Sequence, residues 1–184
     1  MTETSLSAPV RIAAIQTVSG PDVAANLETA SHLIAQAAAA GARVIALPEY
    51  FPLISKDETA KVRIREPEGA GPLQDFLASE ARRHGVWLIG GTLPLVAEAD
   101  DKVRNSTLVF DDQGRRVARY DKIHLFGFQR GEERYDEAAT IEPGGTVVCF
   151  DSPAGRTGLS VCYDLRFPEL FRAMGEVDLI VLPS

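Results

Sequence analysis

Three side chains at the ends of apolar runs have types that can act together: Cys162 as a nucleophile, Glu49 as a proton carrier and Lys122 as a fixed positive charge. Cys162 sits in the stretch GLSVCYDLRFPE, residues 158–169, where a strand is expected to end at the cysteine and a helix to begin a few residues on. Such a corner holds the sulfur out at a strand end. A helix N-terminus nearby favours the thiolate, and the backbone N–H of Tyr163 can donate to a developing oxyanion. Taken alone, a cysteine here also fits a small buried hydrophobe, the commoner fate of a free thiol.

A thiol nucleophile needs a base, and a departing amine needs a proton. Glu49 follows the apolar run 43–47 and Pro48, a place where desolvation raises a carboxyl pKa toward the range useful for proton transfer. Lys122 lies between Arg119-Tyr120-Asp121 and the run Ile123-His124-Leu125-Phe126. Beside carboxylates it stays cationic and can stabilise an oxyanion. Singly, each also reads as an ordinary solvated residue at a strand end. Of the three histidines, His32 and His84 fall on expected helices as surface or boundary residues. His124 makes a Cys–His pair conceivable, but no partner to orient its imidazole is visible in the sequence. Metal-ligand spacings, a phosphate loop and a dinucleotide fingerprint are missing, so no cofactor is expected; Gly90-Gly91 and Gly144-Gly145 read as turns.

The elements that must position these groups alternate helix, glycine and strand. A strand is expected over 11–17 and a helix over 22–40, with Val23, Leu27, Ala30, Ile34 and Ala37 on one face, Asp22 as its cap and Gly41 as its stop. The strand 43–47 then runs into Glu49. A second unit has a helix over 72–84, begun by Pro72 and stopped by Gly85, and a strand over 86–90. A third has a helix over 167–174, Gly175, and a strand over 177–182. Three such units predict an α/β architecture. Between them, 104–110 with 115–122, and 146–150 with 156–161, read as hairpins, the second turning over residues 151–155. Residues 127–145 read as one long loop and 55–70 as a second long connection.

The chain has 184 residues, 45% apolar and 24% charged, which predicts one domain with a sizeable core. A net charge of −7 argues against nucleic-acid binding and, more weakly, against docking on anionic membranes. The opening MTETSLSAPV lacks the features of a signal peptide, and no apolar run approaches the ~20 residues of a spanning helix. Two cysteines without an export signal are expected as reduced thiols in a cytoplasmic protein. Residues 1–10 are expected as a loose arm, 11–184 as the domain. Because 179–184 ends directly after a core strand, further chain is expected beyond Ser184.

Taken together and in this order, the stretches Ala46-Leu47-Pro48-Glu49-Tyr50-Phe51, Tyr120-Asp121-Lys122-Ile123-His124-Leu125-Phe126 and Gly158 to Leu170 resemble the nitrilase superfamily of carbon–nitrogen hydrolases. The run Cys162-Tyr163-Asp164-x-Arg166-Phe167-Pro168-Glu169 is the most specific part. Ile12 to Gln16, Asn26 and the segment from Glu137 to Gly144 also look like that family. The resemblance implies an αββα sandwich, usually paired as a homodimer, that hydrolyses a small-molecule amide with water and no cofactor. It implies Glu49 as base and acid, Lys122 and the Tyr163 N–H as oxyanion donors, and Cys162 as nucleophile. It implies a second glutamate between the lysine and the cysteine. Glu137 fits that place best, with Glu132 and Glu133 as close rivals. Asp164, Arg166 and Glu169 are then expected as ion pairs that fix the Cys162 turn. Motif details are closest to omega-amidases and deaminated-glutathione amidases, with carbamoylase or nitrilase activity as alternatives. Because family members are longer, an incomplete scaffold that acts only as an interaction module is the competing expectation.

Overall fold

The computed structural model describes residues 9–184, so residues 1–8 of the expected arm lie outside the described residues. The chain opens with β1 (Ile12–Ala14), α1 (Val23–Ala39) and β2 (Val44–Ala46), then α2 (Ala60–Arg63), α3 (Pro72–His84) and β3 (Trp87–Ile89). Next come β4 (Leu93–Val96), β5 (Val103–Phe110), β6 (Arg116–Asp121), β7 (Gly127–Arg130) and β8 (Glu133–Asp136). The last elements are β9 (Cys149–Ser152), β10 (Gly155–Leu159), α4 (Pro168–Ala173) and β11 (Leu179–Val181).

Local chemistry sets the helix ends. The Asp22 carboxylate accepts from the Ala25 N–H at 3.1 Å and starts α1. Gly41, at φ 85°, turns the chain from α1 into β2. For α3 the first turn is capped from outside. The buried Glu66 carboxylate accepts from Leu73 N at 2.6 Å and Gln74 N at 3.1 Å, where the helix dipole favours an anion. Gly85 ends the helix in the left-handed region.

The larger sheet joins β1, β2 and β3 in parallel and then β5, antiparallel to β3. β3 and β4 share one edge of the long β5, end to end, while β6 takes its other edge. The smaller sheet has β10 between antiparallel β9 and parallel β11. Alternation along β2 sends Ile45 to one face and Val44 to the other. Ile45, Leu88 and Leu108 meet Ala30 and Ile34 of α1 and Leu77 and Ala81 of α3. Val44, Ile89, Val109 and Tyr120 meet Leu159 of β10 and Val161 just past it, with Leu170 of α4 and Met174, which caps α4. A Cβ at Gly158 would lie 2.6 Å from Met174 Sδ, so the end of α4 covers the face of the smaller sheet that Gly158 presents, opposite Leu159. The layers therefore run helix, sheet, sheet, helix. Each aliphatic side chain fully buried in these two seams contributes about 1.5–3 kcal/mol.

Several expected elements differ. The strand expected over 11–17 is confined to Ile12–Ala14, where the ladder with β2 runs, with a further bond from Ile15 N to Ala46 O at 2.9 Å. β4 had no expected counterpart; it is a four-residue strand with Pro94 inside. Residues 127–145 are not one loop: β7 and β8 pair around a two-residue turn led by Gly131 at φ 62°, and a 3-10 turn covers Glu137–Ala139. These strands are mostly exposed, so they lack the buried alternation that marks a strand in sequence. The connection 55–70 contains α2. In the second hairpin the turn shrinks to Pro153-Ala154, because Gly155 at φ 94° already pairs with Ser152.

Candidate active site

Three strand ends converge beyond the sheets. Past β2, Leu47 N donates to Ile89 O at 3.0 Å, which carries the sheet one residue further and places Pro48 and Glu49 just outside it. The close approach of the neighbouring β3–β4 bend requires glycine. Gly91 has φ 54°, and a Cβ there would stand 2.0 Å from Pro48 O. Tyr50 is itself left-handed at φ 52° and is held by its N–H donating to Thr92 Oγ1 at 2.8 Å. Past β6, Lys122 N donates to Asn105 O and Gly144 N donates to Lys122 O, both at 2.9 Å. Past β10, Ser160 N donates to Val181 O at 3.0 Å and Cys162 N to Pro183 O at 2.9 Å. Cys162 then takes φ 47° and opens a 3-10 turn over Cys162–Arg166. A non-glycine residue in that region costs on the order of 1–3 kcal/mol, a strain characteristic of sites where a side chain is aimed.

The Lys122 ammonium sits between two carboxylates, 3.0 Å from Glu49 Oε1 and 2.8 Å from Glu137 Oε2. Side-chain exposures are 0% for Lys122, 7% for Glu49 and 4% for Glu137, so the cluster is removed from water. Glu49 Oε1 also accepts from Asn105 Nδ2 at 2.9 Å. Glu137 accepts further from Tyr50 Oη at 3.2 Å and from Phe126 N at 2.7 Å. Every oxygen of Glu137 is thus engaged, whereas Lys122 and Asn105 both use Oε1 of Glu49 and the Glu49 carboxylate also faces the Cys162 thiol. Glu132 and Glu133 lie exposed on the β7–β8 hairpin and do not reach Lys122. The structure brings together Glu49, Lys122, Glu137 and the half-buried Cys162.

Burial raises the Glu49 pKa above its ordinary value, partly opposed by Lys122 and reinforced by Glu137. For Lys122, burial works against the charge, but Glu49 and Glu137 outweigh it and the pKa rises. Burial and the adjacent Glu49 push the Cys162 thiol up to about 11, with Lys122 pulling the other way. The expectation that a helix end would favour the thiolate is therefore corrected. α4 begins only at Pro168, beyond the 3-10 turn, and the thiol is the resting form near neutrality. Tyr50 and Tyr135 flank the cluster, and burial with the neighbouring glutamates raises both phenols, Tyr135 to about 12.

Two further expectations change. His124 does have an orienting partner: its Nδ1 lies 2.7 Å from Asp164 Oδ1. Of the three charged residues expected to fix the Cys162 turn, only Asp164 does so, accepting from Val161 N at 2.9 Å. Glu169 instead makes an exposed pair with Arg172, and Arg166 is exposed with no carboxylate partner among the described residues. Asn105 and Tyr50 went unrecognised; an asparagine or tyrosine carries no site signal in sequence until the fold aims it. Tyr163 packs edge-on against Phe126 and Phe167, with ring centroids 5.1 and 5.5 Å away. No group of three or more His, Cys, Asp or Glu among the described residues is spaced to hold a metal ion. No helix among them is long and apolar enough to cross a membrane.

An αββα order of layers, with a cysteine, a lysine and two glutamates meeting at strand ends, is the pattern of the nitrilase superfamily. The chain belongs to the carbon–nitrogen hydrolase family, whose sequence model matches residues 11–182. It is 38% identical to a deaminated glutathione amidase of Yersinia enterocolitica, over 94% of this chain and 62% of that protein. It is 35% identical to an omega-amidase of Xenopus laevis, over 96% of this chain and 64% of that one. Among solved structures it resembles a variant of the amidase from Nesterenkonia sp. AN1, in which acrylamide has added to the active-site cysteine. That match has a TM-score of 0.80 at 26% identity and covers 95% of this chain and 66% of the other. The chain thus spans less than two thirds of the length of the two curated relatives.

Proposed function

We propose that the protein hydrolyses the C–N bond of a small linear amide through a thioester on Cys162. One observation carries the reading: a fully buried lysine ammonium bridges two glutamates beside a cysteine held in a left-handed corner. Because the thiol rests protonated, attack and deprotonation are coupled. Glu49 takes the thiol proton as sulfur bonds to the amide carbon, and the C=O electron pair moves onto oxygen. Lys122 and the Tyr163 N–H hold that oxyanion. Glu137 anchors Lys122, and with its oxygens already engaged by Lys122, Tyr50 and Phe126 it takes no proton in these steps. When the tetrahedral centre collapses, the C–N bond breaks and Glu49 returns its proton to departing ammonia. Glu49 then draws a proton from water as water attacks the thioester, and the S–C bond breaks to give a carboxylic acid and the thiol.

The amidase names of the relatives support an omega-amidase or deaminated-glutathione-amidase type of substrate. Family habit makes a homodimer the assembly to test by light scattering, and the two free cysteines fit a reducing cytoplasm. The decisive assay is ammonia release from small ω-amides, among them 2-oxoglutaramate and deaminated glutathione. Release is expected to vanish in Cys162→Ala. Equal release from the variant would overturn the mechanism.

A further inference from the structure

Asp164 is fully buried, and the steps above do not use it. Its carboxylate nevertheless receives four hydrogen bonds from two different stretches of chain. Oδ2 accepts from Tyr120 Oη at 2.6 Å and from Val161 N at 2.9 Å. Oδ1 accepts from His124 N at 3.0 Å and from His124 Nδ1 at 2.7 Å. Tyr120 and His124 stand two residues before and two residues after Lys122. Val161 and Asp164 bracket Cys162. One carboxylate therefore ties the strand that carries the lysine to the corner that carries the thiol.

We propose that His124 and Asp164 are positioning residues that set the register between Cys162 and Lys122; the inference rests on the proposed amidase reading. The His124 ring is oriented on two sides. Its Nδ1–H donates to Asp164, and its face stacks on Phe167 with centroids 3.6 Å apart and planes 6° apart. Phe167 closes the same 3-10 turn, its N–H donating to Asp164 O at 3.0 Å. The corner at Cys162 is strained, and strained corners hold only where the surroundings over-determine them. Without the Nδ1–H bond, the segment after Lys122 would keep a single polar tie to Asp164, through the His124 N–H. The His124 Nδ1 is committed to Asp164, and among the described residues the ring makes no hydrogen bond to Glu49, Lys122 or Cys162.

The test compares His124→Phe, which keeps a flat ring on Phe167 and loses the donor, with His124→Asn, whose amide nitrogen replaces Nδ1. The first readout is the rate at which iodoacetamide alkylates Cys162, with Cys149 in the same molecule as reference. In that reaction sulfur displaces iodide from carbon and the thiol proton passes to Glu49, so no amide turnover is needed. His124→Phe is expected to slow Cys162 alkylation by about 10- to 100-fold, the effect of misplacing a reacting atom by about an ångström. Cys149 alkylation should stay at the wild-type rate, while the thermal midpoint of His124→Phe falls by a few degrees because buried Asp164 loses a donor. His124→Asn should recover most of the loss. In the ammonia assay kcat should fall with KM nearly unchanged. Wild-type alkylation rates in both variants would overturn the proposal, as would a Cys162 loss accompanied by faster Cys149 alkylation, the sign of general unfolding rather than misplacement. Loss of all reactivity in His124→Phe while Glu49→Gln stays active would make His124 the base and overturn it too. If wild-type protein releases no ammonia, the amidase reading fails on its own, and the alkylation rates still decide the role of His124.

Discussion

Replacing Lys122 by Met probes the buried cluster most directly, because Met keeps the bulk of the stem and removes the charge. The wild-type cluster holds one cation against two carboxylates, at 3.0 and 2.8 Å. Without the cation, two like charges face each other in a site almost closed to water. Removing one partner of a buried ion pair costs about 3–5 kcal/mol. For a chain of this size that corresponds to a thermal midpoint lower by about 6–20 °C. The loss should depend on pH with a definite sign. Glu49 already has a folded-state pKa above the ordinary 4.5. In the interval between the two values the folded chain holds a proton that the unfolded chain releases, so raising the pH through it destabilises the fold. Losing Lys122 lifts the folded value further and stretches the interval toward neutrality. Lys122→Met should therefore be most destabilised near neutral pH and recover in mildly acidic buffer, where Glu49 takes up its proton. Adding Glu49→Gln to the variant should restore part of the neutral-pH loss. Differential scanning fluorimetry across pH measures all of this. A loss below about 1 kcal/mol, or one that is the same at acidic and neutral pH, would refute the reasoning that the three groups form one electrostatic unit.

Four further outcomes follow from the same geometry. The acid limb of the ammonia-release profile should lie above the ordinary glutamate value, since Glu49 must be ionised to accept the thiol proton. Asn105→Ala removes a donor to ionised Glu49 and should move that limb to still higher pH; an unmoved limb would detach Asn105 from the base. Gly91→Ala puts a Cβ against backbone Pro48 O at a positive φ, so the clash adds to a conformational cost of about 1–3 kcal/mol, with activity falling alongside. Gly145→Ala, with open space around its Cβ, should be silent in both assays.

What the sequence made legible follows from how each group is supported. Glu49, Lys122 and Cys162 stand at the ends of apolar strands, so periodicity points to their backbone positions and residue type to their chemistry. The helix–glycine–strand units were readable for the same reason: Gly41 and Gly85 occupy left-handed stops that other residues resist. Groups whose roles arise only from cross-chain contact were not readable. Asn105 meets Glu49 across 56 positions, and Asp164 meets Tyr120 across 44. No local pattern encodes such a meeting. The β7–β8 hairpin escaped because its strands are exposed, although it determines which glutamate reaches Lys122. By pairing Arg130 with Glu133, it turns Glu132 and Glu133 outward and leads the chain into the 3-10 turn that buries Glu137. The orientation of His124 went unseen because its partner lies beyond Cys162 in sequence, on the far side of the corner it helps to hold. A histidine whose partner is hidden reads as a weak candidate base. With Asp164 in place it reads as a strut, and the base is left to Glu49, the carboxylate that faces the thiol.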